Sequence, residues 1–298
     1  MKLTGLHFLL TYQCTFECDH CFAWGSPTQK GVMKLGDIRS YLQQAKETGT
    51  ITSIYFEGGE PFLYYATLLR GVWMAARMGF SVGIVSNAFW ATSPQDARAA
   101  LRPFSKKLNN ISVSSDLYHY DELFSRQAKE AAVAAEAFGI AVGTISVARP
   151  EETNVEKVSG QLPERLSGVM YRGRAVEKLV AQAARFPWEQ FNTCPHEDLR
   201  EPGRIHLDPF GNLHLCQGLV IGNMCDQRLR LICESYDPEA HPIVGPLLAG
   251  GPAELVRHYH LPHEDTYADA CHLCYEARRV LRERFPEQLC PDEMYGIF

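Results

Sequence analysis

The run Cys14-Thr15-Phe16-Glu17-Cys18-Asp19-His20-Cys21 places three thiols within eight positions. Soft thiolates in such a group favour an iron-sulfur cluster or zinc. A four-iron cluster held by only three cysteines keeps one iron open for a ligand that is not protein, and an open position means chemistry instead of scaffolding. The competing reading is a structural zinc knuckle with His20 as a fourth ligand. A second signal lies at Glu57-Gly58-Gly59-Glu60-Pro61. Its glycines let a backbone edge approach a ligand, and its carboxylate can accept hydrogen bonds from an ammonium group; taken alone it would be an ordinary loop. Zinc at the three thiols would leave this motif without a reason. Four more thiols, Cys194, Cys216, Cys271 and Cys274, bracket a C-terminal region. Four is a closed ligand set, for an iron-sulfur centre or for zinc as in ribbons and fingers, and His214 and His272 keep zinc open. Cys225, Cys233 and Cys290 lack short-range partner spacing and are expected to be structural. Cys225 is the substitute ligand should Cys194 lie too far away.

These residues sit in an ordinary globular composition of 298 residues, 46% hydrophobic and 21% charged, which excludes disordered and fibrous classes. A formal charge of -6 gives no global attraction to phosphate polyanions, so nucleic acid is not the expected partner. The start Met1-Lys2-Leu3-Thr4 lacks the basic-then-apolar run of a secretory signal, so ten cysteines point to metal-bound thiols in a reducing, cytoplasmic setting. The weakly charged stretch from Ala131 to Ala148 is broken by Glu136, Gly139 and Gly143, a helix end joined to a strand and not a membrane span.

Short apolar runs alternate with helical patterns through the first two thirds of the chain, the mark of parallel β/α construction. The expected strands are Leu6 to Thr11, Ser53 to Phe56, Ser81 to Ser86, Asn110 to Ser114, Ile140 to Val147 and Gly168 to Tyr171. Between them, Ile38, Tyr41, Leu42 and Ala45 form a helical stripe stopped by Gly49, Ser93-Pro94-Gln95-Asp96 starts another helix, and Gly79 and Gly139 close two more. A closed eight-stranded barrel needs about 250 residues, so this α/β fold is expected to be a partial (β/α)6 TIM-like barrel over residues 1–187 with an open mouth. Residues 188–298 read as a smaller domain of β-hairpin plus helix. Its hairpin pairs Arg204 to Leu207 with Leu213 to Cys216 across Asp208-Pro209-Phe210-Gly211-Asn212. The closing helix keeps Leu273, Ala277, Leu281 and Phe285 on one stripe, with Arg278, Arg279, Arg282 and Arg284 expected on solvated faces.

The C-x3-C-x2-C spacing directly after a first strand resembles the radical S-adenosylmethionine (radical SAM) superfamily, and Gly58-Gly59-Glu60-Pro61 after the second strand resembles its GGEP motif. The resemblance implies that Cys14, Cys18 and Cys21 hold a 4Fe-4S cluster whose open iron is chelated by S-adenosylmethionine. An electron from the reduced cluster would then release a 5'-deoxyadenosyl radical that abstracts hydrogen from an unactivated C–H bond. It further implies that Gly58, Gly59 and Glu60 grip the methionyl amino group, that His20 packs near the adenine, and that Ser86, Asn87, Ser114, Asp116 and Arg149 contact ribose and carboxylate. Read locally, the same residues are strand-end turns and caps. Tyr118 and His119 either face substrate or pack at a helix start. Arg172-Gly173-Arg174-Ala175 resembles the Gly-Arg-Ala turn of family members with extra C-terminal clusters. The hairpin cysteine and the C-x2-C pair resemble the SPASM and twitch extensions, with Cys194, Cys216, Cys271 and Cys274 holding one auxiliary 4Fe-4S cluster. A full SPASM pattern needs seven cysteines, and only Cys290 follows Cys274, so the twitch version fits better.

The implied activity is that of a radical SAM oxidoreductase or maturase that oxidises or crosslinks a peptide, natural-product or cofactor precursor. The arrangement resembles the radical dehydrogenase of aminoglycoside synthesis and, more loosely, the peptide maturases. Implied partners are the substrate and a reductant such as flavodoxin or ferredoxin, without a membrane. The nearness of Cys14 to the start leaves no room for a leader-binding domain, which shifts weight toward small substrates or a separate recognition protein. Methyl transfer and sulfur insertion lack a dedicated domain. The alternative from another class is a non-catalytic iron-sulfur or zinc protein for electron transfer or partner binding.

Overall fold

The computed structural model describes residues 1–122, 125–151 and 166–298. Five parallel strands are β1 (Leu3–Thr11), β2 (Ser53–Gly58), β3 (Ser81–Ser86), β4 (Asn110–Ser114) and β5 (Ala141–Ile145). The four helices that accompany them are α1 (Leu35–Thr48), α2 (Tyr65–Arg77), α3 (Pro94–Leu101) and α4 (Arg126–Ala137). Alternation along β1 assigns the faces: Leu6, Phe8 and Leu10 are wholly buried, and Phe8 packs edge-on against Tyr41 of α1. The helix starts and stops follow the sequence chemistry. Ser93 caps α3 by accepting from the Asp96 amide at 3.1 Å, and α1 ends where Gly49 turns left-handed at φ 71°.

The sixth expected strand, Gly168 to Tyr171, does not form. A single parallel bridge between Val147 and Ser167 stands in its place. The Tyr171 amide instead donates to the Asp269 carboxylate at 3.2 Å, so the backbone of this segment is spent on the start of a C-terminal helix. The sheet is extended on its other edge. After α5 (Arg174–Lys178) and the short β6 (Phe186–Pro187), strand β7 (Gly203–Leu207) runs parallel to β1 with His206 opposite His7. Strands β8 (Asn212–Cys216) and β9 (Leu219–Asn223) continue antiparallel. Among the described residues the order is β5-β4-β3-β2-β1-β7-β8-β9, one open sheet of eight strands.

The expected hairpin is therefore present, and it belongs to the same sheet as the barrel strands. Its turn is fixed by the buried Asp208 carboxylate, which accepts from the amides of Phe210 and Asn212, each at 2.9 Å, and from the Tyr12 hydroxyl at 3.0 Å. Three helices close the chain: α6 (Leu229–Ser235), α7 (Val244–Tyr259), broken at Gly250 and Gly251, and α8 (Ala270–Leu281). The short β10 (Thr266–Tyr267) pairs with β6 ahead of α8. One expectation for α8 is corrected: Arg278 is only 1% exposed. Its guanidinium donates to the Gln217 carbonyl and packs over Tyr275, because the helix face it occupies is pressed against the hairpin. No described helix is long and apolar enough to cross a membrane.

Candidate active site

Strand β1 delivers the chain to the sheet's C-terminal rim, and residues 12 to 33 fold back over it. Backbone bonds hold this loop: the Cys14 amide donates to Ser26 at 2.9 Å and the Cys21 amide to Cys18 at 3.0 Å. The turn after β2 packs directly on the loop. A Cβ at Gly59 would lie 2.1 Å from the Gln13 carbonyl, and one at Gly58 2.3 Å from the Thr11 carbonyl. Both glycines thus allow two backbone segments to touch, a need separate from any ligand.

Glu60 is wholly buried, and its carboxylate faces the end of β3. It accepts from the Phe62 amide at 3.0 Å, the Asn87 amide at 2.8 Å and the Ser86 hydroxyl at 3.0 Å. Burial pushes its pKa up to about 7 against these donors. Asn87 extends the network toward the first cysteine: its amide nitrogen donates to Thr15 Oγ1 at 2.9 Å and reaches Cys14 Sγ at 3.6 Å. Cys14, Glu60, Ser86 and Asn87 are therefore one connected group. Asp116, also wholly buried, accepts from the Tyr118 amide at 3.0 Å, His119 Nδ1 at 2.7 Å and the Val147 amide at 3.1 Å. Burial opposes its ionisation, but the hydrogen bond from His119 holds its carboxyl below the usual range. His20 packs 4.6 Å from Tyr118, and its buried Nδ1 has no partner among the described residues. Burial lowers its pKa to about 4, so it is a neutral ring. Arg149 lines a cavity of about 340 Å³ with Glu17, Asp19 and Tyr118, beside the loop but lined by none of its thiols. Ser114 ends β4 half-buried, and no bond ties it to this network.

The thiols carry amide donors that suit thiolate ligands. The Phe16 amide points at Cys14 Sγ at 3.5 Å and the Gly25 amide at Cys21 Sγ at 3.3 Å. Burial pushes Cys14 up to about 12 and Cys18 further upward, so ionisation here needs a cation beyond the side chains. The C-terminal four also converge. Cys216 ends β8, Cys271 and Cys274 occupy the first turn of α8, and the charge of Cys216 raises the pKa of Cys194, Cys271 and Cys274 alike. Cys225 is exposed, with its sulfur 3.2 Å from the Tyr41 hydroxyl. Among the described residues, the only groups of three ligand atoms within 4.8 Å of one another are His7–Glu57–His206 and His20–Asp116–His119; neither thiol set is that tight. Zn–S bonds of about 2.3 Å in a tetrahedron bring sulfurs to about 3.8 Å from each other.

Two structural roles were not read from the sequence, although Arg174 was named there as part of the Gly-Arg-Ala turn. Arg174, 5% exposed, clamps the loop by donating to the carbonyls of Cys18 at 2.9 Å and Gly25 at 2.8 Å. Only the unusual burial of an arginine marks it, and sequence does not print burial. The second is a cluster across β1, β2 and β7: His7 Nδ1 lies 2.6 Å and His206 Nε2 3.4 Å from Glu57 Oε1, with Tyr55 stacked on His7. Burial works against Glu57, yet the two histidines hold it well below the usual glutamate range. Polar side chains at alternate positions of otherwise apolar strands were the available signal.

An open sheet with five parallel strands β1 to β5, carrying C-x3-C-x2-C after its first strand and Gly-Gly-Glu-Pro after its second, resembles the construction of the radical SAM superfamily. No protein-family model matches the chain. It is 27% identical over 124 residues to "Putative peptide biosynthesis protein YydG" of Bacillus subtilis (strain 168), a match covering 42% of this chain and 38% of that protein. The chain thus spans well under half of the curated relative it matches. Among solved structures it is similar to Streptococcus suis SuiB bound to S-adenosylmethionine, at 13% identity and a TM-score of 0.45, covering 86% of this chain and 74% of that one. It is similar also to native anSMEcpe with bound AdoMet, at 12% identity and a TM-score of 0.46, covering 95% and 97%.

Proposed function

We propose that the chain is a radical SAM enzyme that modifies a peptide, with a second iron-sulfur centre at Cys194, Cys216, Cys271 and Cys274. The observation that carries the reading is the connected rim of Cys14, Asn87, Ser86 and Glu60, placed where three thiols leave a metal position open. Peptide as substrate class rests on the similarity to the Bacillus subtilis peptide biosynthesis protein.

When bound, the first cluster supplies the electron that cleaves S-adenosylmethionine reductively and so starts hydrogen abstraction. The chain's own residues do the remaining work. Cys14, Cys18 and Cys21 would hold that cluster, and Asn87 and the loop amides would stabilise its sulfurs. Glu60 fixes the relative position of the β2 and β3 turns. The neutral ring of His20, with Tyr118, offers an apolar surface for the adenine. His7, Glu57 and His206, adjacent across β1, β2 and β7, would offer a polar patch to a substrate. A flavodoxin or ferredoxin would serve as the external reductant. Four thiolates in the second set would bring two negative charges with a multi-iron centre, and two buried arginines, Arg172 and Arg278, stand beside them.

The test is anaerobic reconstitution followed by dithionite reduction with S-adenosylmethionine. Conversion to 5'-deoxyadenosine that disappears in Cys18→Ala, while the iron of the second set persists, is the expected result. A reconstituted protein that binds iron yet yields no 5'-deoxyadenosine would refute the proposal.

A further inference from the structure

A cation is built into the C-terminal thiol set. Arg172 is 9% exposed, and its Nη1 donates to Cys216 Sγ at 3.0 Å. The Glu197 carboxylate stands off at 3.8 Å, and the buried Nε of Arg172 has no partner among the described residues. Arginine cannot shed its proton, so a guanidinium buried beside neutral thiols would be left largely uncompensated. Arg278, also buried beside the set, donates to the carbonyls of Gln217 and Cys274 and stands near the Cys274 thiol, whereas Arg172 makes the direct 3.0 Å bond to the Cys216 sulfur. The position of Arg172 is fixed from behind. A Cβ at the adjoining Gly173 would lie 2.6 Å from the Cys21 carbonyl, and Arg174 clamps the triad loop.

We propose that Arg172 is the counter-cation of the C-terminal centre and raises its reduction potential by donating a hydrogen bond to the Cys216 sulfur. The inference rests on the iron-sulfur reading of that set. One-electron reduction adds one negative charge to the centre and breaks no bond. A fixed cation and a donor on the ligand sulfur stabilise that added charge, and so make the centre a better acceptor. Arg172 is in this sense a positioning residue, acting through the cluster's ligand.

The experiment uses the full chain with Cys14, Cys18 and Cys21 changed to alanine, so that only the second centre is visible. Iron and sulfide content with Mössbauer spectroscopy first establishes what that set holds; zinc or no cluster there overturns the iron-sulfur reading and this inference together. With the cluster present, redox titration followed by electron paramagnetic resonance compares wild-type Arg172 with Arg172→Met and Arg172→Lys. The methionine variant should be at least tenfold harder to reduce at fixed poise, a shift of about 59 mV to more negative potential for one electron. Lysine, which keeps the charge but not the planar donor, should fall between. If methionine prevents cluster loading, the lysine variant carries the comparison alone. A midpoint unchanged in the loaded variant would overturn the assignment of Arg172 while leaving the iron-sulfur reading intact.

Discussion

Replacing Arg174 by methionine should strip the triad loop of its main fastening. The side chain is 5% exposed and makes two charge-assisted hydrogen bonds, to Cys18 and Gly25, across some 150 residues of sequence. Methionine keeps an apolar stem but loses the guanidinium that lies over the Trp24 ring, and leaves both carbonyls without their donor. Each such bond is worth about 1.5–3 kcal/mol, so the loss is about 3–6 kcal/mol. At roughly 2 °C per kcal/mol for a chain of this size, the melting temperature of metal-free protein should fall by about 6–12 °C. Lysine, reaching one carbonyl at a time, should recover about half. Differential scanning calorimetry under anaerobic conditions reads the stability, and iron content after reconstitution reads the site, which should load less of the first cluster. A melting temperature within about 2 °C of wild type, together with full iron loading, would refute the fastening role.

Other consequences are more local. Because Glu57 ionises more readily when folded, its stabilising contribution is complete above the ordinary glutamate value and is lost as pH falls below it. Glu57→Gln should therefore flatten the acid limb of a urea-midpoint profile, and an unchanged limb would count against the His7–Glu57–His206 coupling. Gly59→Ala forces a methyl into the Gln13 carbonyl and should cost about 2–3 kcal/mol by chemical denaturation, with impaired loading at Cys14. Cys225→Ser changes an exposed thiol outside both sets, and should leave iron content unaltered and stability within about 0.5 kcal/mol.

Local chemistry was legible where it was short-ranged. The strand runs of β1 to β4, the Gly49 stop, the Ser93 cap and the Asp208 turn all follow from neighbours within a few residues. The segment at Gly168 to Tyr171 was not, because a distant carboxylate, Asp269, claims its backbone. The thiol sets were read from spacing, whereas the buried roles of Arg172, Arg174 and Arg278 were hidden. A charged residue on a helix face looks solvated until the element covering it is known. The His7–Glu57–His206 cluster needed the β1–β7 register, a non-local pairing across about 200 residues that no periodicity encodes.

The pairing of β7 with β1 has an architectural cost for anyone who would shorten the protein. Cutting the chain after residue 187 removes the neighbour that pairs with the opening strand from Leu3 to Phe8. That strand would then present bare amides and carbonyls along an apolar ribbon, a template for self-association into insoluble stacks. The N-terminal portion is thus not a detachable cassette, and grafting it elsewhere would require a substitute border strand.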